Sequence, residues 1–140
     1  MKIILAGGGT GGHIYPAIAI ADTIKSRDKS AEILFIATKN GMEKSLVEKA
    51  GYETYHIEMS GLRRSLSLRN IKTAICFFTS QIGAKKLLKS FQPDVVFATG
   101  NYLSYPLIHT AAKMGIPTAV HESNIIPGKA IKMLEKDSDR

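Results

Sequence analysis

Residues 2–13 read KIILAGGGTGGH, an apolar run followed at once by a loop in which five of the six residues 7–12 are glycine. The run Lys2–Ala6 predicts a buried β-strand, and the spacing of apolar residues after the loop predicts a helix over Tyr15–Arg27. Glycines at this point let the backbone approach a ligand closely, and the helix N-terminus behind them favours phosphate. We therefore interpret residues 7–13 as a ligand-binding glycine loop.

Apolar runs and helical patterns alternate along the rest of the chain. The further predicted strands are Glu32–Ala37, Glu53–Ile57, Asp94–Ala98 and Thr118–His121. The further predicted helices are Gly41–Ala50, about Leu68 to Ser90, about Ser104 to Met114, and one that begins near Pro127. Short strands that are apolar on both faces and separated by helices indicate an α/β fold, a Rossmann-like parallel sheet with helices on both faces.

Ligands of such sheets bind beyond the carboxyl ends of the strands, so the loops after the first, fourth and fifth strands are the candidate site. After the fourth strand, Asn101, Tyr102 and Ser104 offer the hydrogen bonds and aromatic surface that suit a carbohydrate. Ser104 is also a candidate helix cap, and packing is the alternative role of Tyr102. After the fifth strand, Glu122 is a candidate base, with an ion pair as its alternative role.

His13 closes the glycine loop at the mouth of the predicted cleft. A histidine there can accept a proton from a hydroxyl near neutral pH or hydrogen-bond a phosphate. The alternative is a histidine that only orders the loop.

The glycine loop also matches the dinucleotide pattern G-x-G-x-x-G through Gly7, Gly9 and Gly12. That interpretation needs an acidic residue at the end of the second strand, where residues 38–40 are Thr, Lys and Asn. Lys39 could meet the 2′-phosphate of NADP, so an NADP-binding oxidoreductase fragment stays as an alternative. A P-loop is excluded because no Lys-Ser or Lys-Thr pair follows the glycines.

The net charge of +7 comes from one segment, residues 59–93, which contains no Asp or Glu. Its seven basic residues are Arg63, Arg64, Arg69, Lys72, Lys85, Lys86 and Lys89. The spacing places Ile71, Ile75, Phe78 and Ile82 on one core-facing stripe, and Phe77 faces outward beside Lys72. A basic, partly apolar surface favours an anionic membrane face. A solvated basic face is the alternative, and nucleic acid is disfavoured because no aromatic array for base stacking is present.

Composition excludes several classes of protein. Cys76 is the only cysteine, which rules out an internal disulfide framework and a paired-cysteine metal site. No apolar stretch reaches the roughly 18 residues that a membrane-spanning helix needs, and we see no secretory signal. We expect no metal and no cofactor.

Four segments together resemble the N-terminal domain of the MurG family, the peptidoglycan N-acetylglucosaminyltransferases. They are GGGTGGHIYPAIAIA (7–21), MSGLRR (59–64), PDVVFATGNYLSYP (93–106) and GIPTAVHESNIIPG (115–128). The resemblance implies inverting, metal-independent transfer of N-acetylglucosamine from UDP-N-acetylglucosamine. The acceptor would be the 4-hydroxyl of N-acetylmuramic acid on undecaprenyl-diphosphate-linked lipid I, and the product lipid II for the cell wall. It also implies a peripheral protein at the cytoplasmic face of the cell membrane.

The same resemblance assigns roles to individual residues. Donor contacts would come from Thr10, Gly11, Gly12 and Asn124. Acceptor-side contacts and the candidate bases would be His13, Tyr102 and Glu122, and Asn101 and Ser104 join them as substrate-binding candidates. We favour His13 as the base, because it lies where the acceptor diphosphate and sugar should converge.

Members of this family have two domains of the GT-B type. We expect residues 1–140 to be the N-terminal acceptor-binding domain alone, without the C-terminal donor-binding domain, and so with little activity. The charged end, Asp137–Arg140, is interpreted as a truncation point. The alternative is a membrane-anchoring module of a split glycosyltransferase with a separately encoded partner.

Overall fold

A computed structural model of the protein describes residues 1–57, 69–100, 104–124 and 129–139, the side chains of 69–78 and 129–130 excepted. Within these ranges the strands are β1 (Lys2–Ala6), β2 (Glu32–Ala37), β3 (Glu53–His56), β4 (Val95–Ala98) and β5 (Thr118–Val120). The helices are α1 (Gly11–Arg27), α2 (Met42–Lys49), α3 (Arg69–Phe91), α4 (Ser104–Lys113) and α5 (Lys129–Leu134). The alternating order of strands and helices is the predicted one.

The five strands form one parallel sheet in the order β3-β2-β1-β4-β5. Alternate residues of each strand face opposite sides of a sheet, so β1 contributes to two separate cores. Ile3 and Leu5 pack with apolar residues of α1 and α2 on one face. Ile4 and Ala6 pack with apolar residues of α3, α4 and α5 on the other. The predicted α/β sheet with helices on both faces is confirmed.

The chain reverses its direction of travel across the sheet at β1. From β1 it proceeds to β2 and β3 on one side, then crosses back to β4 and β5 on the other. The loops after β1 and β4 therefore leave the sheet in opposite directions and open a crevice between them. In open α/β sheets this switch point is where ligands bind.

Helix α1 begins earlier than predicted, at Gly11 instead of Tyr15. The glycines discourage a helix by propensity, but tertiary contacts of the first turn outweigh that cost. His13 therefore belongs to the first turn of a helix, and its backbone N–H donates to Thr10 O at 3.0 Å.

The prediction that Ile82 faces the core is wrong, because its side chain is 70% exposed. The buried side chains of this half of α3 are Ala84, Leu87 and Leu88, which pack against the sheet. They share one face of the helix, and Ile82 lies off it. The other residues of the predicted stripe, residues 71, 75 and 78, have side chains outside the described part. No helix that the structure describes is both long and apolar enough to span a bilayer.

Candidate functional site

The loops after β1, β4 and β5 meet at one edge of the sheet, as predicted, because these three strands are neighbours. Backbone hydrogen bonds extend the pairing just past the strand ends. Thr99 N donates to Ala6 O at 2.9 Å, and His121 N donates to Ala98 O at 2.7 Å. The candidate site is thus built on paired backbone rather than on free loops.

His13 and Thr99 are joined by two hydrogen bonds across the crevice. His13 Nδ1 lies 2.5 Å from Thr99 O, and Thr99 Oγ1 donates to His13 O at 2.5 Å. A carbonyl oxygen can only accept, so Nδ1 is assigned the hydrogen. In the neutral ring the lone pair is then on Nε2, which is the form that a general base requires.

Two glycines make this close approach possible. A Cβ at Gly7 would lie 2.7 Å from His13 O, 2.7 Å from Thr99 Oγ1 and 2.8 Å from Ala17 Cβ. Gly100 has a φ of +74°, and a Cβ there would lie 3.3 Å from His13 Cε1. Larger residues at either position would push the His13 ring or α1 away from the end of β4.

The start of α1 presents unpaired backbone amides. Thr10 occupies the N-cap position, but its side chain makes no capping hydrogen bond. Within the described ranges, no acceptor is found for the N–H groups of Gly11 and Gly12. A helix N-terminus with free N–H groups and the positive end of the helix dipole is suited to an anion.

Glu122 and Asn124, after β5, are hydrogen-bonded to each other. Asn124 N and Nδ2 donate to Glu122 Oε1 at 2.9 and 2.6 Å. The carboxylate therefore orients the exposed Asn124 side chain at the edge of the crevice. One oxygen of the Glu122 carboxylate thus accepts two hydrogen bonds from its own loop. His13, by contrast, is hydrogen-bonded to Thr99 across the crevice.

Of the remaining substrate-binding candidates, the structure describes only Ser104. Asn101 and Tyr102 lie outside the described residues. Ser104 is the first residue of α4 and fully buried, and its Oγ has no hydrogen-bond partner within the described part of the chain. In that same part, no cluster of three or more His, Cys, Asp or Glu residues is arranged to hold a metal ion.

Some of the residues predicted to face the membrane lie in the described part of α3. Lys85, Lys86 and Lys89 are exposed, and with Ile82 they recur at the three- and four-residue spacing of a single helix face. We call these four residues the basic stripe. Arg63 and Arg64 lie outside the described residues, as do the side chains of Arg69, Lys72 and Phe77.

Sequence reasoning missed Glu43, whose carboxylate lies at the carboxyl end of β2. The side chain belongs to α2 and is only 2% exposed. Its Oε1 accepts from Thr38 N at 2.9 Å and from Thr38 Oγ1 at 2.6 Å, and its Oε2 accepts from Gly9 N at a longer 3.4 Å. A Cβ at Gly41 would overlap this carboxylate, so the glycine two residues before an acid was the available signal.

The ionisation of Glu43 follows from these contacts. Burial raises the pKa of its carboxyl, but the hydrogen bonds from Thr38, from the backbone of Glu43 itself and from Gly9 outweigh burial, so the pKa lies below its ordinary value. Glu43 is therefore a buried carboxylate anion at neutral pH. The residues directly after β2 include no acid, but the Glu43 carboxylate lies at this strand end. Its oxygens already accept hydrogen bonds from backbone amides of the protein itself.

The chain matches the glycosyltransferase family 28 N-terminal domain over residues 3–140. A protein of Exiguobacterium sp. is 49% identical over all 140 residues and is named UDP-N-acetylglucosamine--N-acetylmuramyl-(pentapeptide) pyrophosphoryl-undecaprenol N-acetylglucosamine transferase. A Lactococcus lactis protein of the same name is also 49% identical over 140 residues.

A solved structure, that of Acinetobacter baumannii MurG, superimposes with a TM-score of 0.84 at 26% identity and covers 99% of this chain. The chain spans 39% of the length of each of the two relatives and 39% of the crystallised chain.

Proposed function

Since this chain belongs to the glycosyltransferase family 28 N-terminal domain family, we propose that it is the acceptor-side half of a peptidoglycan N-acetylglucosaminyltransferase. The reaction would move N-acetylglucosamine from UDP-N-acetylglucosamine to the 4-hydroxyl of N-acetylmuramic acid on undecaprenyl-diphosphate-linked lipid I. The names of the two 49% identical relatives support this substrate pair. Sugar transfer would also need the C-terminal donor-binding domain.

The hydrogen bond from His13 Nδ1 to Thr99 O carries the mechanistic part of the proposal. It leaves Nε2 as the proton acceptor at the crevice. As the acceptor oxygen bonds to the anomeric carbon, Nε2 takes the hydroxyl proton and the bond from that carbon to UDP breaks. Attack from the face opposite UDP inverts the configuration, and UDP leaves with the electron pair of the broken bond.

His13 is favoured over Glu122 as the base because of what each group already binds. Glu122 Oε1 accepts both donors of Asn124 and so serves to orient that amide. Asn124 would then contact the donor sugar nucleotide. In this arrangement Glu122 positions a substrate contact, and His13 transfers the proton.

The unpaired amides of Gly11 and Gly12 would hold a phosphate of one of the two substrates, with Thr10 Oγ1 near Gly12. Asn101 and Tyr102 remain proposed substrate contacts on the neighbouring loop. The buried Ser104 hydroxyl at the start of α4 is the third candidate there.

The basic stripe on α3 would face the anionic cytoplasmic leaflet from which the lipid-linked acceptor is delivered. An exposed Ile82 beside Lys85, Lys86 and Lys89 combines apolar contact with charge attraction. Arg63, Arg64, Arg69, Lys72 and Phe77 complete the proposed membrane surface.

Ligand binding to the 140-residue chain tests the proposal against its NADP alternative. We expect a soluble lipid I analogue to bind and to perturb the amide resonances of Gly11, Gly12 and His13, and we expect NADP not to bind. Binding of NADP without binding of the analogue would contradict the proposal.

A further inference from the structure

The one buried carboxylate near the glycine loop is Glu43, among the residues that the structure describes. It joins three parts of the chain: the end of β2, the start of α2 and the glycine loop. Burying a charged group is costly unless hydrogen bonds compensate for it. Its presence in the wall of the proposed site therefore requires an explanation.

Every group that hydrogen-bonds the carboxylate donates to it: Thr38 through N and Oγ1, Gly9 N, and the backbone N–H of Glu43 itself. Thr38 N and Gly9 N are backbone amides, which can only donate, and they approach different carboxylate oxygens. A carboxylate satisfies both amides at once. A glutamine of the same shape cannot, because whichever way its amide is turned, its NH₂ group faces one of the two N–H groups.

The contact with Gly9 lies at the turn that leads from the glycine loop into α1. Gly9 has a φ of +82°, and the next residue, Thr10, accepts the N–H groups of His13 and Ile14 at 3.0 and 3.1 Å. An anchor on Gly9 therefore fixes where α1 begins. The same start determines where the amides of Gly11 and Gly12 point and where the His13 ring lies.

We propose that Glu43 is a positioning residue, whose buried carboxylate fixes Gly9 and thereby orders the start of α1 for a diphosphate-containing substrate. The substrate part of this inference rests on the proposed function. Glu43 itself does not contact the substrate in this scheme. Its negative charge lies on the β2 side of the loop, and the diphosphate would lie on the α1 side.

The test compares the 140-residue chain with E43Q and with a matched control, T38V. E43Q keeps the size of the side chain but turns a donor toward Gly9 or Thr38. T38V removes the hydroxyl donor from the same carboxylate and leaves the Gly9 contact intact. Backbone ¹⁵N relaxation of the free proteins and calorimetric titration with farnesyl diphosphate, a short lipid diphosphate, are measured on all three.

In E43Q we expect the order parameter of Gly9 to fall from about 0.85 toward 0.6 or below, while residues of β1 stay unchanged. We also expect farnesyl diphosphate to bind at least about tenfold more weakly, since a charge-assisted hydrogen bond is lost. T38V should resemble the wild type in both measurements. An unchanged Gly9 order parameter in E43Q, or an equal loss of affinity in T38V, would overturn the inference.

Failure of the proposed function gives a different result. If the wild-type chain does not bind farnesyl diphosphate, the placing of a diphosphate at this loop is wrong. The relaxation of Gly9 still decides whether Glu43 orders the loop. If the wild type binds and E43Q binds equally well with a disordered Gly9, the link from loop order to substrate is overturned.

Discussion

His13 and Thr99 hold each other through hydrogen bonds of opposite direction, ring to carbonyl and hydroxyl to carbonyl, each at 2.5 Å. The first residue belongs to α1 and the second follows β4, so the pair bridges the switch point of the sheet. One bond sets the tautomer of the proposed base, and the other fixes the backbone that carries it. The hydrogen bonds that connect α1 to the end of β4 therefore also hold the proposed catalytic group in place.

The substitution Thr99→Val should remove the hydrogen bond from Thr99 Oγ1 to His13 O and keep the one from His13 Nδ1 to Thr99 O. Loss of the buried hydroxyl should lower the free energy of unfolding by about 1–2 kcal/mol, because His13 O loses a donor. Urea unfolding measures this change. The control is Thr23→Val, which removes a similar hydroxyl bond on the exposed face of α1 and should cost less than about 0.5 kcal/mol. Equal costs for the two variants would show that the His13–Thr99 pair adds nothing.

The substitution Gly7→Ala should destabilise the protein by about 2–3 kcal/mol, since its methyl group would meet backbone and side-chain atoms that cannot move apart. Gly83→Ala is the matched control, because a Cβ in that part of α3 meets nothing within 4 Å. Replacing this helical glycine should stabilise the protein by about 0.5–1 kcal/mol. Thermal unfolding of both variants checks the opposite signs, and a Gly7→Ala protein as stable as the wild type would contradict the packing described.

Tyr52 should titrate at unusually high pH. Burial, then the hydrogen bond to Asp22 at 2.6 Å and the charge of Asp22, raise the pKa of the Tyr52 phenol to about 12. A folded-state pKa above the ordinary value means that this contribution to stability is complete below about pH 10 and is lost as pH rises through about 12. Ultraviolet titration of phenolate absorbance measures the pKa. Asp22→Asn should lower it only in part, because burial is the larger cause, and a Tyr52 pKa near 10 in the wild type would contradict the contact.

Replacing the three lysines of the basic stripe, Lys85, Lys86 and Lys89, by Gln should weaken binding to anionic vesicles. Each lysine contributes about 1 kcal/mol near such a surface, so the triple variant should bind about a hundredfold more weakly. The control replaces the exposed Lys29, Lys39 and Lys49, which lie away from α3. Vesicle sedimentation at two salt concentrations distinguishes them. Equal weakening by both triple variants would indicate attraction by net charge alone and no specific membrane surface.

The sheet could be predicted from the sequence because its signals are local. The run Lys2–Ala6 and the glycines after it define a strand end by composition alone, and the strand agrees residue by residue. The start of α1 could not be found this way, because Gly11 and Gly12 are poor helix formers and only contacts with a distant strand outweigh that.

The sequence predicted which loops form the candidate site, but it did not predict all the side-chain contacts made there. The carboxyl ends of parallel strands share one edge of a sheet, so the loops of His13 and Glu122 were expected there, and the strand order makes them neighbours. The Glu43 carboxylate was missed because it reaches back from α2 to the end of β2 and across to Gly9, a pairing that no local pattern encodes. Ile82 was misplaced because the buried face of α3 is set by the sheet beneath it.

The central claim is that this chain supplies the acceptor half and the base of a sugar transfer. Its most direct test fuses the chain to the C-terminal part of the Exiguobacterium relative and measures UDP release with a lipid I analogue. We predict an active enzyme in which His13→Ala lowers turnover by about 10²–10⁴-fold with little change in UDP-N-acetylglucosamine affinity, and in which Glu122→Gln mainly weakens donor binding. Unchanged turnover in His13→Ala, or a loss of turnover only in Glu122→Gln, would contradict the assignment.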